Sequence, residues 1–171
     1  MELDRRVKVS TFSGVTNAAV LIEGMGGEEP GGRFAIVDLG LVCSHFHLAA
    51  AVFKALYNEE QGRMKTKSIS SEVMYQLSST TKINEALRQY GVKPESTLVA
   101  FVSIDEDPLC AQLLAKVEGS VLDSELLGSP QFLTAEKVSI IAKAFKLTKE
   151  ELQFSSLDDA IATRLATKDT L

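Results

Sequence analysis

Along Val7-Lys8-Val9-Ser10-Thr11-Phe12 apolar and polar side chains alternate, the period of a strand with one buried face. Asn17 to Met25 reads as a short helix, and Arg33 to Leu39, apolar and rich in β-branched residues, as a second extended segment. The period then changes. From Ser44 to Asn58 the apolar positions Leu48, Val52, Ala55 and Leu56 recur at helical spacing, and Ser44 stands where an N-cap belongs. A helix capped by Ser70 or Ser71 buries Val73, Met74 and Leu77, with Glu72 favoured at its positive end. Another, from about Lys82 to Tyr90, aligns Ile83, Ala86, Leu87 and Tyr90 and stops at Gly91. Thr97 to Ile104 is the strongest strand and is predicted to be central. Asp107-Pro108 supplies an N-cap followed by proline at the first helical position, opening a helix to Val117 that Gly119 closes. Ser120 to Leu122 forms a short strand. Two helices complete the pattern: Ala135 to Phe145, with Val138, Ile141, Ala142 and Phe145 on one face, and Leu157 to Ala166, capped by Ser156. Helices outnumber strands, so the expected fold class is α+β: one domain over residues 1–171, with a small, mainly antiparallel sheet packed by several short helices.

Composition changes this picture in three places. At 171 residues with 45% hydrophobic content, the chain can bury a real core as one domain. Five of its eleven glycines fall between Gly24 and Gly32, which predicts a flexible surface loop there. The net charge of -5 excludes binding of nucleic acid by bulk charge, so any anionic partner must meet a local patch. Such a patch exists: Gln61 to Lys93 holds six Lys/Arg against Glu72 and Glu85, whereas Pro94 to Glu136 holds eight acids against Lys116 alone. Within it, Gln61 to Ser71 carries Arg63, Lys65 and Lys67 and no carboxylate. Cys43 and Cys110, without CxxC spacing and set among apolar residues, read as buried free thiols. The first residues lack an apolar signal core, and no apolar run reaches the roughly 18 residues of a membrane span. An intracellular, reducing location away from membranes is the expectation.

The candidate chemistry points away from catalysis. Gly27 and Gly32 have the outer spacing of a phosphate-binding loop, but Arg33-Phe34 replaces its Lys-Ser/Thr and a strand follows in place of a helix. His45 and His47 would chelate a metal from one face of a strand; on a helix they diverge, and no acidic or thiol pattern completes a site. The carboxylate clusters Asp105-Glu106-Asp107, Glu150-Glu151 and Asp158-Asp159 each lie near a predicted helix start, where the helix dipole accounts for them. No nucleophile motif is present, and no catalytic, metal or cofactor site is expected. A small phosphate-handling enzyme using His45 or His47 with the carboxylates, or a stand-alone RNA-binding protein, stays open as an alternative. For Arg63, Lys65 and Lys67 the plainer account is solvated surface. For the stripe Leu157, Ala160, Ile161 and Leu165 it is packing into the domain's own core.

The run GRMKTKSISSEVMYQLSSTTKINEALRQYGV over residues 62–92, with the ending LDDAIATRLATKDTL, resembles the PRPK-binding protein (TPRKB) family, the small kinase-associated subunits of the KEOPS/EKC complex. The likeness spans nearly the whole chain and is most specific at Arg63 to Val92 and Leu157 to Leu171, with the glycine loop as a departure. It implies a non-catalytic subunit, cytoplasmic and nuclear, that needs no cofactor. Members of that family bind a PRPK-type atypical kinase subunit, are linked through it to the threonylcarbamoyl transferase subunit, and contact tRNA, notably its single-stranded acceptor end. The complex forms threonylcarbamoyladenosine next to the anticodon. Carried onto this chain, the resemblance makes Arg63, Lys65 and Lys67 candidates for tRNA phosphates and Leu157, Ala160, Ile161 and Leu165 candidates for the kinase interface. Sequence-specific base readout by this patch is not expected, since no aromatic is adjacent to the cations in sequence and Tyr75 lies eight positions beyond Lys67.

Overall fold

A computed structural model describes residues 2–4, 6–26 and 32–168. Residues 27–31, the middle of the predicted glycine loop, and residues 169–171 of the family-like ending lie outside the described residues. In chain order the elements are β1 (Glu2–Asp4), β2 (Val7–Ser13), α1 (Ala18–Gly24), β3 (Phe34–Asp38), α2 (His45–Glu60), α3 (Ile69–Leu77) and α4 (Ile83–Tyr90). There follow β4 (Val99–Ile104), α5 (Pro108–Leu114), β5 (Ser120–Leu122), a 3-10 turn (Ser124–Gly128), α6 (Ala135–Ala144), α7 (Lys149–Phe154) and α8 (Leu157–Thr167).

The sheet is antiparallel throughout its described pairs and runs β3-β4-β2, with β1 and β5 sharing the outer edge of β2. Val9 pairs with Val102, and Ile36 with Phe101. Alternation in β2, β3 and β4 sends one set of side chains to each face. Val7, Val9, Ala35, Val37, Ala100, Val102 and Ile104 pack beneath α2, α3 and Tyr90 of α4, with Leu48, Val52, Val73 and Leu77 opposite them. Phe34, Ile36, Val99 and Phe101 face the other way, onto Ala18 and Leu21 of α1 and Cys110 and Leu113 of α5. Because β3 and β4 are covered on both faces, their sequences are almost continuously apolar, whereas β2 keeps its alternation. A third cluster, formed by Cys43, Ile141, Phe145 and Ile161, ties α6 and α8 to the start of α2. Among the described residues no helix is long and apolar enough to cross a membrane.

Strands β2 to β5 and the long helix α2 lie where the sequence predicts them, whereas β1 has no counterpart in that reading. Four further local features differ. Ser68, not Ser70 or Ser71, caps α3, its hydroxyl accepting from the Ser71 amide at 3.1 Å, and Ser70 and Ser71 are buried inside the first turn. Gly91 ends α4 without adopting a left-handed conformation: it extends into a bridge with Val37, and a Cβ there would lie 2.5 Å from the Leu87 carbonyl oxygen. α5 stops at Leu114, earlier than the expected Val117. α7 was not anticipated, although Thr148 and Glu151 form a complete capping box at its start.

Candidate nucleic-acid and partner interfaces

The basic segment begins where α2 is brought to an abrupt stop. Gly62 takes φ +64, its amide donates to Glu59 O at 3.1 Å, and the Arg63 amide donates to Asn58 O at 2.8 Å. These two bonds form a Schellman motif, which requires a residue at ease with positive φ and so favours glycine. The chain leaves the motif with Arg63, Lys65 and Lys67 exposed and Met64, Thr66 and Ser68 half-buried between them. Beneath this segment lies Glu72, 0% exposed. Its Oε2 accepts from the Lys65 amide at 3.0 Å, the Thr66 amide at 3.1 Å and the Thr66 hydroxyl at 2.8 Å. Its Oε1 accepts from Gln76 Nε2 at 2.8 Å and Asn58 Nδ2 at 3.3 Å. With Ser68 as the cap, Glu72 lies a full turn into α3 and serves the loop, in addition to any dipole effect the sequence suggests.

The same geometry brings an aromatic ring to the cations. The Arg63 guanidinium carbon lies 5.3 Å from the centroid of the Tyr57 ring, and Tyr57 is 53% exposed. Tyr75 is buried and holds Lys168 instead, so the expectation that no aromatic accompanies the patch is corrected. Tyr57 lies six positions before Arg63, and it is the reversal of the chain at the end of α2 that folds Arg63 back over its ring. Lys82 and Arg88, exposed on and beside α4, extend the positive charge.

The apolar stripe of α8 turns inward. Ile161 is 1% exposed among Cys43, Ile141 and Phe145, Ala160 is buried, and Leu157 and Leu165 are half-buried against the same cluster. Both ends of the helix are fixed. Asp158 accepts from Ser44 Oγ at 2.5 Å and from Cys43 Sγ at 3.1 Å, while Lys168 donates to Tyr75 O and to Ser78 O, the latter at 2.7 Å. Ala160 and Ile161 therefore cannot meet a partner while α8 stays docked; Leu157 and Leu165 keep an accessible edge.

A different apolar stripe faces solvent. Phe46, Phe53 and Tyr57 of α2 are 57%, 44% and 53% exposed. They stand at i, i+7 and i+11, within about 20° of one line along the helix at 100° per residue, opposite Leu48, Val52 and Ala55. Sequence reasoning took only the buried side of α2. The signal was present as large aromatics recurring off the core face.

The histidines diverge on α2 as expected. His47 is buried, its Nδ1 accepting from the Cys43 amide at 3.3 Å and its Nε2–H donating to Leu77 O at 3.0 Å, with Phe145 and Tyr90 edge-on to the ring. An amide can only donate and a carbonyl can only accept, so both contacts require the neutral Nε2–H tautomer. Burial pushes its pKa down to about 4. Since the unfolded chain takes up that proton near the ordinary 6.5 and the folded chain does not, stability falls as pH drops below 6.5 and levels off below about 4. The full window amounts to roughly 3 kcal/mol. Urea midpoints at pH 7 and pH 5 should therefore separate in the wild type and converge in His47→Gln; equal separation in both would assign the effect to other groups.

The carboxylate clusters do lie at helix starts. Asp107 caps α5 and Glu151 completes the α7 box, but Asp105 and Glu106 both take φ 54 in the turn before α5, where Arg33 Nε donates to Asp105 at 3.0 Å. Among the described residues no three His, Cys, Asp or Glu side chains group as metal ligands.

Residues 12–169 match the family described as kinase binding protein CGI-121. The EKC/KEOPS complex subunit TPRKB of Danio rerio is 31% identical over 162 residues, spanning 92% of this chain and 88% of that protein. The EKC/KEOPS complex subunit CGI121 of Yarrowia lipolytica is 28% identical over 146 residues, 85% of this chain and 82% of that protein. The subunit cgi121 of Schizosaccharomyces pombe is 27% identical over 165 residues, 95% and 91% respectively.

Proposed function

Because this chain belongs to the kinase binding protein CGI-121 family, we propose that it is a non-catalytic subunit of a KEOPS/EKC complex, binding and regulating the PRPK-type kinase subunit and helping to recruit tRNA for threonylcarbamoyladenosine formation. The proposed setting is cytoplasm and nucleus, with the threonylcarbamoyl transferase subunit reached through the kinase. The observation that carries the tRNA half is the held basic segment: three exposed cations on a loop anchored to a buried carboxylate, with Tyr57 alongside. Arg63, Lys65 and Lys67 would meet phosphates, and Tyr57 offers a face on which an unpaired base of the acceptor end could stack. Three phosphate contacts to a single strand correspond to a log-log salt slope of about -2, useful when a larger assembly supplies further contacts.

For the kinase, the exposed α2 stripe is the better-supported surface at its Phe46 and Phe53, whose rings lie largely in solvent. The outer edge of α8, with Leu157 and Leu165, is the secondary candidate. Aromatic anchors of this kind supply most of the energy in small interfaces.

Reversing the charge of Arg63, Lys65 and Lys67 together should weaken binding of a tRNA transcript at least tenfold at moderate salt and flatten the salt slope. All three side chains are exposed, so the thermal midpoint should hold. Filter binding across a salt series reads both quantities; unchanged affinity would return the segment to solvated surface.

A further inference from the structure

We infer that Glu72 is a positioning residue for RNA: its buried carboxylate holds the segment from Arg63 to Lys67 in the one conformation that turns all three cations outward. The inference rests on the tRNA reading above and adds to it a residue that RNA never touches.

Three donors converge on Oε2, from Lys65 and Thr66, and two on Oε1, from Gln76 and Asn58. The two backbone amides can only donate, so the group beneath them must accept, whereas the Asn58 and Gln76 side-chain amides can present either nitrogen or oxygen. Glutamine therefore keeps the anchor, its oxygen under the loop amides and its NH2 facing turned Asn58 and Gln76 amides; leucine removes the acceptor and leaves both loop amides without one. The Thr66 hydroxyl has Ser68 O as a second acceptor at 3.1 Å, so it can turn away; the two loop amides cannot.

Those amides belong to consecutive residues in the middle of the basic segment. Anchoring Lys65 N and Thr66 N from below fixes the alternation in which Thr66 is half-buried and Lys65 and Lys67 are exposed. Among the described residues neither lysine ammonium is in an ion pair, and the solvent-side contact of the segment, Arg63 over Tyr57, lies at its front end. Without the anchor, the segment must be ordered when RNA binds, at a cost in affinity.

Charge and positioning act with opposite sign here. Glu72→Leu and Glu72→Gln both remove a negative charge beneath a phosphate-binding surface, which by Coulomb attraction alone would tighten RNA binding. Only Glu72→Leu also removes the anchor, and loss of positioning weakens binding. The expected result for full-length Glu72→Leu with a tRNA transcript is a weakening of about fivefold to twentyfold, from the freedom regained by several loop residues, while Glu72→Gln binds at least as tightly as the wild type. Hydrogen exchange at the Lys65 and Thr66 amides should quicken in Glu72→Leu, while β4 amides stay protected and report an intact fold. Combined with the charge-reversed triple variant, Glu72→Leu should add nothing further. Should Glu72→Leu fail to fold, Thr66→Val removes one hydroxyl from the cage and should weaken binding by about threefold. Equal or tighter binding by a folded Glu72→Leu, or an effect that persists in the triple background, would overturn the inference while leaving the tRNA reading in place. Unchanged binding by the triple variant alone would remove the tRNA reading and the inference with it.

Discussion

Ile161→Asp destabilises the protein by about 4 kcal/mol, the cost of placing a carboxylate where a fully packed aliphatic side chain stood. Ile161 is 1% exposed and belongs to the cluster of Cys43, Ile141 and Phe145, so its replacement loses that packing and desolvates the new charge. The damage should concentrate in α6 and α8, which hang on this cluster rather than on the sheet, and reach α7 through its Glu151–Arg164 ion pair to α8. Loss of kinase binding in this variant would therefore follow from undocking of α8, and would carry no information about the contact surface. Differential scanning calorimetry should show a midpoint lowered by about 10 °C for a chain of this size. Leu165→Asp, at a half-buried position, should lower it far less. A wild-type midpoint in Ile161→Asp, together with lost kinase binding, would mean that Ile161 faces the partner after all.

Phe53→Asp has the reverse profile: kinase binding falls by more than about thirtyfold, the equivalent of losing a central anchor of 2 kcal/mol or more, while the fold is kept. Phe53 is 44% exposed in the middle of the α2 stripe, so its replacement removes little buried area. Pressing the face of Phe46 and Phe53 against a partner would have to desolvate the new carboxylate. Isothermal titration against the purified kinase subunit reads the affinity, and circular dichroism the fold. Retained affinity would transfer the interface to the edge of α8 formed by Leu157 and Leu165.

The two variants separate what the sequence could and could not disclose. Strands β2, β3 and β4 were legible because alternation or continuous β-branched character has few other physical explanations, and the capped starts of α2, α5 and α8 were legible because Ser44, Asp107 and Ser156 stand directly before apolar periods. In sequence the start of α3 reads at Ser70 or Ser71, and the cap is Ser68, which sets Glu72 under the basic loop through contacts that no local pattern carries. α7 has only six residues and none of them is buried, so it offers no apolar period to detect, only its capping box. On α2 two stripes share one helix, and periodicity identifies the buried one without revealing that the opposite face is aromatic and exposed. On α8, conversely, a stripe attributed to a partner is satisfied within the chain, since pattern alone cannot distinguish a core face from an interface. The cations Arg63, Lys65 and Lys67 were visible as a patch; the carboxylate that holds them and the ring beside them were not, because both arrive from neighbouring helices.

The most direct test of the central claim is affinity purification of the tagged full-length chain from its own cells, followed by mass spectrometry at moderate salt. Function as a KEOPS/EKC subunit predicts recovery of a small PRPK-type kinase in near-stoichiometric amount, with the threonylcarbamoyl transferase subunit behind it. Recovery of neither, from cells that contain both, would contradict it.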